Sequence, residues 1–214
     1  MKINFIYNKE KDIWCLLNKG KGSNNSSNST KVYELLVSKY GENLTEQHTS
    51  KFIDEYFEEN NVSLYDFIEQ YSADWELVAS EYHKRARDIF GTNLPDDLTA
   101  YLTINNRNPY SISDNMFYVT VPRETVRKTI MHELWHFYTW YGLGTDQEGK
   151  LGKQKYNEIK ESLTVLLNEE CGDLFPEGIY DEGYTQHQEL REEIKKLWRE
   201  KKDIHLVWNE VSNR

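Results

Sequence analysis

Two histidines four residues apart, with a glutamate directly after the first, form the most reactive run in this chain: His132-Glu133-Leu134-Trp135-His136. On a helix, positions i and i+4 share one face a turn apart, so both imidazoles can reach one metal ion, zinc above all. Glu133 projects beside them, where a carboxylate can accept a proton from a metal-activated water. In a chain with 6 histidines the pattern arises by chance on the order of 0.02 times, so the spacing is informative. Its neighbours Ile130, Met131, Leu134, Trp135, Phe137 and Tyr138 are all uncharged. An unpaired glutamate inside so apolar a helix would be costly. Two core histidines beside an incidental glutamate is therefore the weaker explanation.

The segment TIMHELWHFY, 129–138, resembles the HExxH motif of the zincin metallopeptidases. A catalytic zinc takes three protein ligands and keeps a fourth position open. The metzincin pattern requires Gly three residues after the second His and a further His three beyond that. Thr139 and Gly142 stand there, so the resemblance runs to the gluzincins, whose third ligand is a Glu on the next helix. That helix, YNEIKESLTVLLNEE, offers Glu158 and Glu161. Glu161 shares a polar stripe with Asn157, Thr164 and Asn168, which suggests a face turned to a polar cavity. Glu158 lies nearer the apolar stripe of Ile159, Leu163 and Leu166, yet its NEIKES context looks like the thermolysin-type NExxSD. KESLTVLLN is similar to the KE-x-LTVLLN of small uncharacterised bacterial minigluzincin-like proteins, where the Glu after Lys would be the ligand. Glu161 is the preferred ligand and Glu158 the alternative.

The resemblance implies a zinc-dependent peptidase with His132, His136 and Glu161 on the metal and Glu133 as general base. Its substrate would be a peptide or protein. An oxyanion donor is also implied; Tyr184 and His187 in GYTQHQEL are candidates, Tyr180 a weaker one. In gluzincins an edge strand precedes the active-site helix and pairs with extended substrate, a place taken here by MFYVTV, 116–121. The rival reading is a latent or non-catalytic zincin-fold binding or regulatory protein with an occluded zinc site. His48, His83 and His205 stand in isolated contexts and read as structural.

These side chains need elements to hold them. Residues 2–7 alternate and predict a short strand; residues 98–105 and 116–121 predict two more. Residues 19–31 are rich in Gly, Ser and Asn and predict a loop without the spacing of a phosphate-binding loop. The 3.6-residue period predicts helices over 31–40, 46–59, 63–71 and 74–90, the last ended by Gly91 and Pro95. Pro122 suits a first helical position, so the motif helix is expected to run from there to about 141, stopped by Gly142 and Gly144. Further helices are expected over 153–171 and 186–201. The fold class implied is α+β and mostly helical, a zincin-like core with a small sheet. Residues 1–95 would be a helical region packed on that core, and residues 96–214 the core itself.

Composition bounds the rest. The 214 residues carry a net charge of -10, which argues against a nucleic-acid partner held by a broad basic surface. Mean hydropathy is -0.81, and no apolar run approaches a membrane span. The N-terminus lacks the apolar stretch of a signal peptide, so a cytoplasmic location is expected. Cys15 and Cys171 then read as thiols, and the Asn-x-Ser/Thr sequons at Asn25, Asn28, Asn43 and Asn61 as without consequence.

Overall fold

The computed structural model describes residues 2–20 and 29–214. Most of the predicted 19–31 loop, residues 21–28, lies outside the described residues. The protein is mostly helical with a small four-stranded mixed sheet, an α+β arrangement. Among the described residues, no helix is long and apolar enough to cross a membrane. The chain forms two compact units, Met1–Trp75 with Asp96–Val126, and Glu76–Pro95 with Arg127–Arg214. One boundary falls between Pro95 and Asp96, but the segments on either side of 76–95 belong to the same unit. The N-terminal strand pairs with the strand after Pro95, a pairing invisible to local pattern.

The first unit holds β1 (Lys2–Tyr7), α1 (Lys9–Lys19), α2 (Lys31–Tyr40), α3 (Glu46–Glu59) and nearly all of α4 (Leu64–Glu76). It also holds β2 (Asp97–Thr103), β3 (Tyr110–Ser111) and β4 (Met116–Thr120). Ile3 and Phe5 of β1 are buried while Lys2, Asn4 and Ile6 are exposed, the period-two pattern of a strand with one core face. β1 runs parallel to β2, and β2 parallel to β4. Parallel neighbours need a long crossover, and residues 8–96 supply it between β1 and β2. Each of α1, α2 and α3 is started by a capping side chain, Asn8, Thr30 and Thr45, that accepts from a backbone N–H three residues on.

A buried polar network ties the ends of these strands to the helices. Thr103 Oγ1 donates to Asp12 Oδ1 at 2.6 Å, and the Ile104 N–H donates to the same oxygen at 3.2 Å. Asn105 donates to the Cys15 carbonyl at 3.2 Å and accepts from Thr30 Oγ1 at 3.0 Å. Tyr71 of α4 donates to the Thr120 carbonyl at 3.0 Å and accepts from the Arg123 N–H at 3.0 Å. Both Cys15 and Cys171 are buried free thiols.

The second unit contains α5 (Ala79–Phe90), α6 (Arg127–Leu143), α7 (Gln147–Leu151), α8 (Lys153–Leu163) and α9 (Val165–Glu170). It is completed by α10 (Gln188–Lys201) and α11 (Ile204–Ser212). α6 is buried almost all round, as expected of a helix without a polar face. α5 packs on it. Tyr82 donates to the Met131 carbonyl at 2.9 Å, His83 Nδ1 lies 2.9 Å from the Tyr138 hydroxyl, and Phe90 meets Trp135 edge-on at 5.0 Å. Tyr156 of α8 lies edge-on to Trp140 of α6 and Trp208 of α11.

Several sequence expectations change. The predicted 74–90 helix breaks at Leu77–Val78 into the end of α4 and α5. The apolar stripe Trp75, Val78, Tyr82 and Ala86 stays buried across the break, so periodicity carries no sign of it. Pro122 is not a first helical position. It follows a cis peptide in an irregular segment, and α6 begins at Arg127. Gly142 does not stop α6 but lies within it. A Cβ there would stand 2.8 Å from both Cβ and the carbonyl oxygen of Phe90, so Gly142 lets α5 and α6 approach.

The predicted 153–171 helix is interrupted at Thr164, whose hydroxyl donates outside the helix. Finally, β4 is not an edge strand. The sheet order is β1-β2-β4-β3, with Tyr110 and Ser111 of β3 opposite Phe117 and Met116, and the Tyr118 N–H donates to the Pro109 carbonyl at 2.9 Å. The NRNPYSISDN connection holds too short a strand to show in a pattern.

Candidate metal centre

The centre is built within the second unit, from α6, α8 and the loop before α10. The i, i+4 spacing on α6 brings His132 Nε2 and His136 Nε2 to 3.1 Å from each other. Glu161 enters from α8, with Oε2 3.5 Å from His132 Nε2 and Oε1 3.4 Å from His136 Nε2. Donors about 2.0–2.1 Å from a tetrahedral ion stand about 3.3–3.4 Å from one another. The two imidazole nitrogens are close to that spacing and each Glu161 oxygen is close to it from one of them, so His132, His136 and Glu161 could hold one metal ion. His132 and Glu161 keep side-chain exposures of 21% and 17%, against 2% for His136, so one side of the triangle faces outward. Glu158 is exposed and outside the group.

Further residues orient these groups. Asp181 Oδ2 accepts from His132 Nδ1 at 2.7 Å. That bond keeps a proton on Nδ1 and turns Nε2 toward Glu161 and His136. Asp181 is itself clamped. Its Oδ1 accepts from Thr164 Oγ1 at 2.8 Å and Arg191 Nη2 at 3.0 Å. Asn168 bonds its backbone N–H and carbonyl, each at 2.8 Å, and Arg191 Nη2 donates to the same carbonyl at 2.7 Å. Gly183, with φ +65°, lies where a Cβ would strike the Arg191 guanidinium.

Burial and charge set the proton affinities of the protein groups. For His132, burial works against the charged form, but Asp181 and Glu161, with Glu133 beyond, push the ring up to about 10. Burial pushes His136 down to about 4, only partly countered by Glu161. Glu161 is held well below the carboxylate range; burial opposes this, and His136, His132 and Lys160 outweigh it. Glu133, 7% exposed, is pushed up to about 8, chiefly by burial. A carboxyl so placed takes up a proton near neutral pH more readily than one in water.

Tyr184 and His187, the expected oxyanion donors, lie in the segment just before α10. They follow one another around a 3-10 turn, Thr185–His187, with their rings edge-on at 5.5 Å. Tyr184 is 52% exposed and Tyr180 57%. His48 stacks on Tyr40 and His83 meets Tyr138, in keeping with structural roles. Sequence reasoning missed Asp181, Arg191 and Lys160. The polar stripe held part of the signal, since Thr164 and Asn168 are the residues that grip Asp181. Comparison with protein-family models, curated proteins and solved structures finds no match for this chain.

Proposed function

We propose that the protein is a zinc-dependent peptidase with a gluzincin-like centre. The observation that carries this reading is the convergence of His132 Nε2, His136 Nε2 and the Glu161 carboxylate, with contacts of 3.1, 3.5 and 3.4 Å, and with buried Glu133 next to the first ligand. Two imidazoles and one carboxylate suit zinc, whose binding would release the extra proton held on His132, and three protein ligands leave a position for a water or substrate. When bound, zinc supplies Lewis acidity. The remaining work falls to the chain. Asp181 fixes the His132 tautomer, Glu133 accepts a proton at its carboxylate and returns it to the leaving amine, and the α6 aromatics keep the surroundings dry. The peptide bond as substrate rests on the likeness of the motif.

The test is metal content and its dependence on the ligands. Purified wild type should hold close to one equivalent of zinc, and His132→Ala and His136→Ala should lose it. Full retention in both variants would overturn the reading.

A further inference from the structure

Lys160 is buried in the metal centre. Its side chain is 5% exposed, and Nζ lies 2.9 Å from Glu161 Oε1, the oxygen that faces His136. Successive helical residues point about 100° apart, so this contact exists only because the lysine stem folds back inside the protein. Lysine is almost never so buried unless it is paired. Three carboxyl groups gather here, Glu133 and Asp181 buried and Glu161 half-buried, with two buried cations, Lys160 and Arg191. Arg191 is committed to Asp181. Lys160 is the cation on the ligand carboxylate, and its charge also reaches Glu133 and His136.

A divalent ion on Glu161 would share that carboxylate with an ammonium already in place. Like charges held this close in a poorly solvated site repel strongly. Without the ion, the same ammonium keeps Glu161 in position and offsets its charge. We propose that Lys160 is a fixed cation that stands in for part of the metal's charge, holding Glu161 ready while weakening the site's grip on the ion, so that loading follows metal supply. This rests on the zinc-centre reading and adds its regulation. Lys160 is a positioning residue; it is not assigned to the reacting atoms.

The experiment uses the full chain as wild type, Lys160→Met and Lys160→Gln, with zinc ion alone as the probe and a colorimetric chelator as competitor. Both neutral variants should bind zinc at least about tenfold more tightly and release it correspondingly more slowly into excess chelator. Stripped of metal, they should melt below stripped wild type. Zinc should raise their melting temperature by more than it raises wild type's, because tighter binding to the folded state stabilises it more. A variant that refolds only with zinc fits the same expectation. If wild type binds zinc and both variants bind it equally or more weakly, Lys160 is not a competing cation and the inference fails alone. If wild type binds no zinc, the metal-centre reading fails and takes this inference with it.

Discussion

Asp181 holds His132 at 2.7 Å through Nδ1, the ring nitrogen away from the donor triangle, although the two stand 49 positions apart in the chain. Around Asp181 converge Thr164, Asn168 and Arg191. The histidine is therefore aimed by a carboxylate that three other side chains immobilise. Removing that carboxylate should cost metal affinity without removing a ligand. Asp181→Ala is expected to bind zinc about 10–100-fold more weakly, as measured by chelator competition. Asp181→Asn should fall between, because one amide oxygen cannot serve His132, Thr164 and Arg191 together. Unchanged affinity in both variants would show that His132 needs no such support.

Glu133 is 7% exposed, and the triangle of His132, His136 and Glu161 lies beside it without including it. Glu133→Gln should therefore keep its zinc and lose hydrolysis of a denatured protein by about 10²–10⁴-fold. Side-by-side metal analysis and peptide-release assays check this. Equal rates for wild type and variant over a broad peptide panel would remove Glu133 from the chemistry.

Asp12 makes a pH prediction for the first unit. Burial pushes its carboxyl up to about 7, against the hydrogen bonds from Thr103 and Ile104. A folded-state pKa above the unfolded value means that the folded chain holds the proton more tightly. The stabilisation is fully present below about pH 4, the unfolded carboxylate range, and is lost as pH rises to about 7. The loss is on the order of a few kcal/mol. Asp12→Asn keeps an oxygen for Thr103 and Ile104 but cannot ionise. Its denaturation curves should be flatter across that window, and it should exceed wild type in stability at about pH 8, above the folded-state value. Parallel profiles for the two proteins would contradict this account.

Gly142 makes a packing prediction. In an open helix, alanine would be favoured over glycine by about 1 kcal/mol. Here the added methyl would stand 2.8 Å from both Cβ and the carbonyl oxygen of Phe90. Overpacking of this kind costs about 1–3 kcal/mol, and backbone on one side leaves little to yield. Gly142→Ala should be less stable than wild type by about 1 kcal/mol or more, read from urea denaturation. A variant of equal or greater stability would mean that α5 and α6 can separate freely.

Local features were legible in the order of residues alone. The pairing of His132 with His136 follows from helical spacing, and α2, α3 and α10 follow from apolar period. The preference for Glu161 over Glu158 rests on the KESLTVLLN likeness and on a polar stripe, of which Thr164 and Asn168 meet Asp181. The remaining features depended on residues distant in the chain, which only the folded molecule brings together. Asp181 and Arg191 carry no motif, since their role exists only where the loop before α10 meets α8 and α6. Lys160 reads as an ordinary helix lysine until it is seen buried against Glu161. The break after Glu76 is silent because the apolar stripe crosses it unchanged. Gly142 looks like a helix stop until Phe90 is seen against it. Helical period shows which face a residue occupies; only packing shows what that face meets.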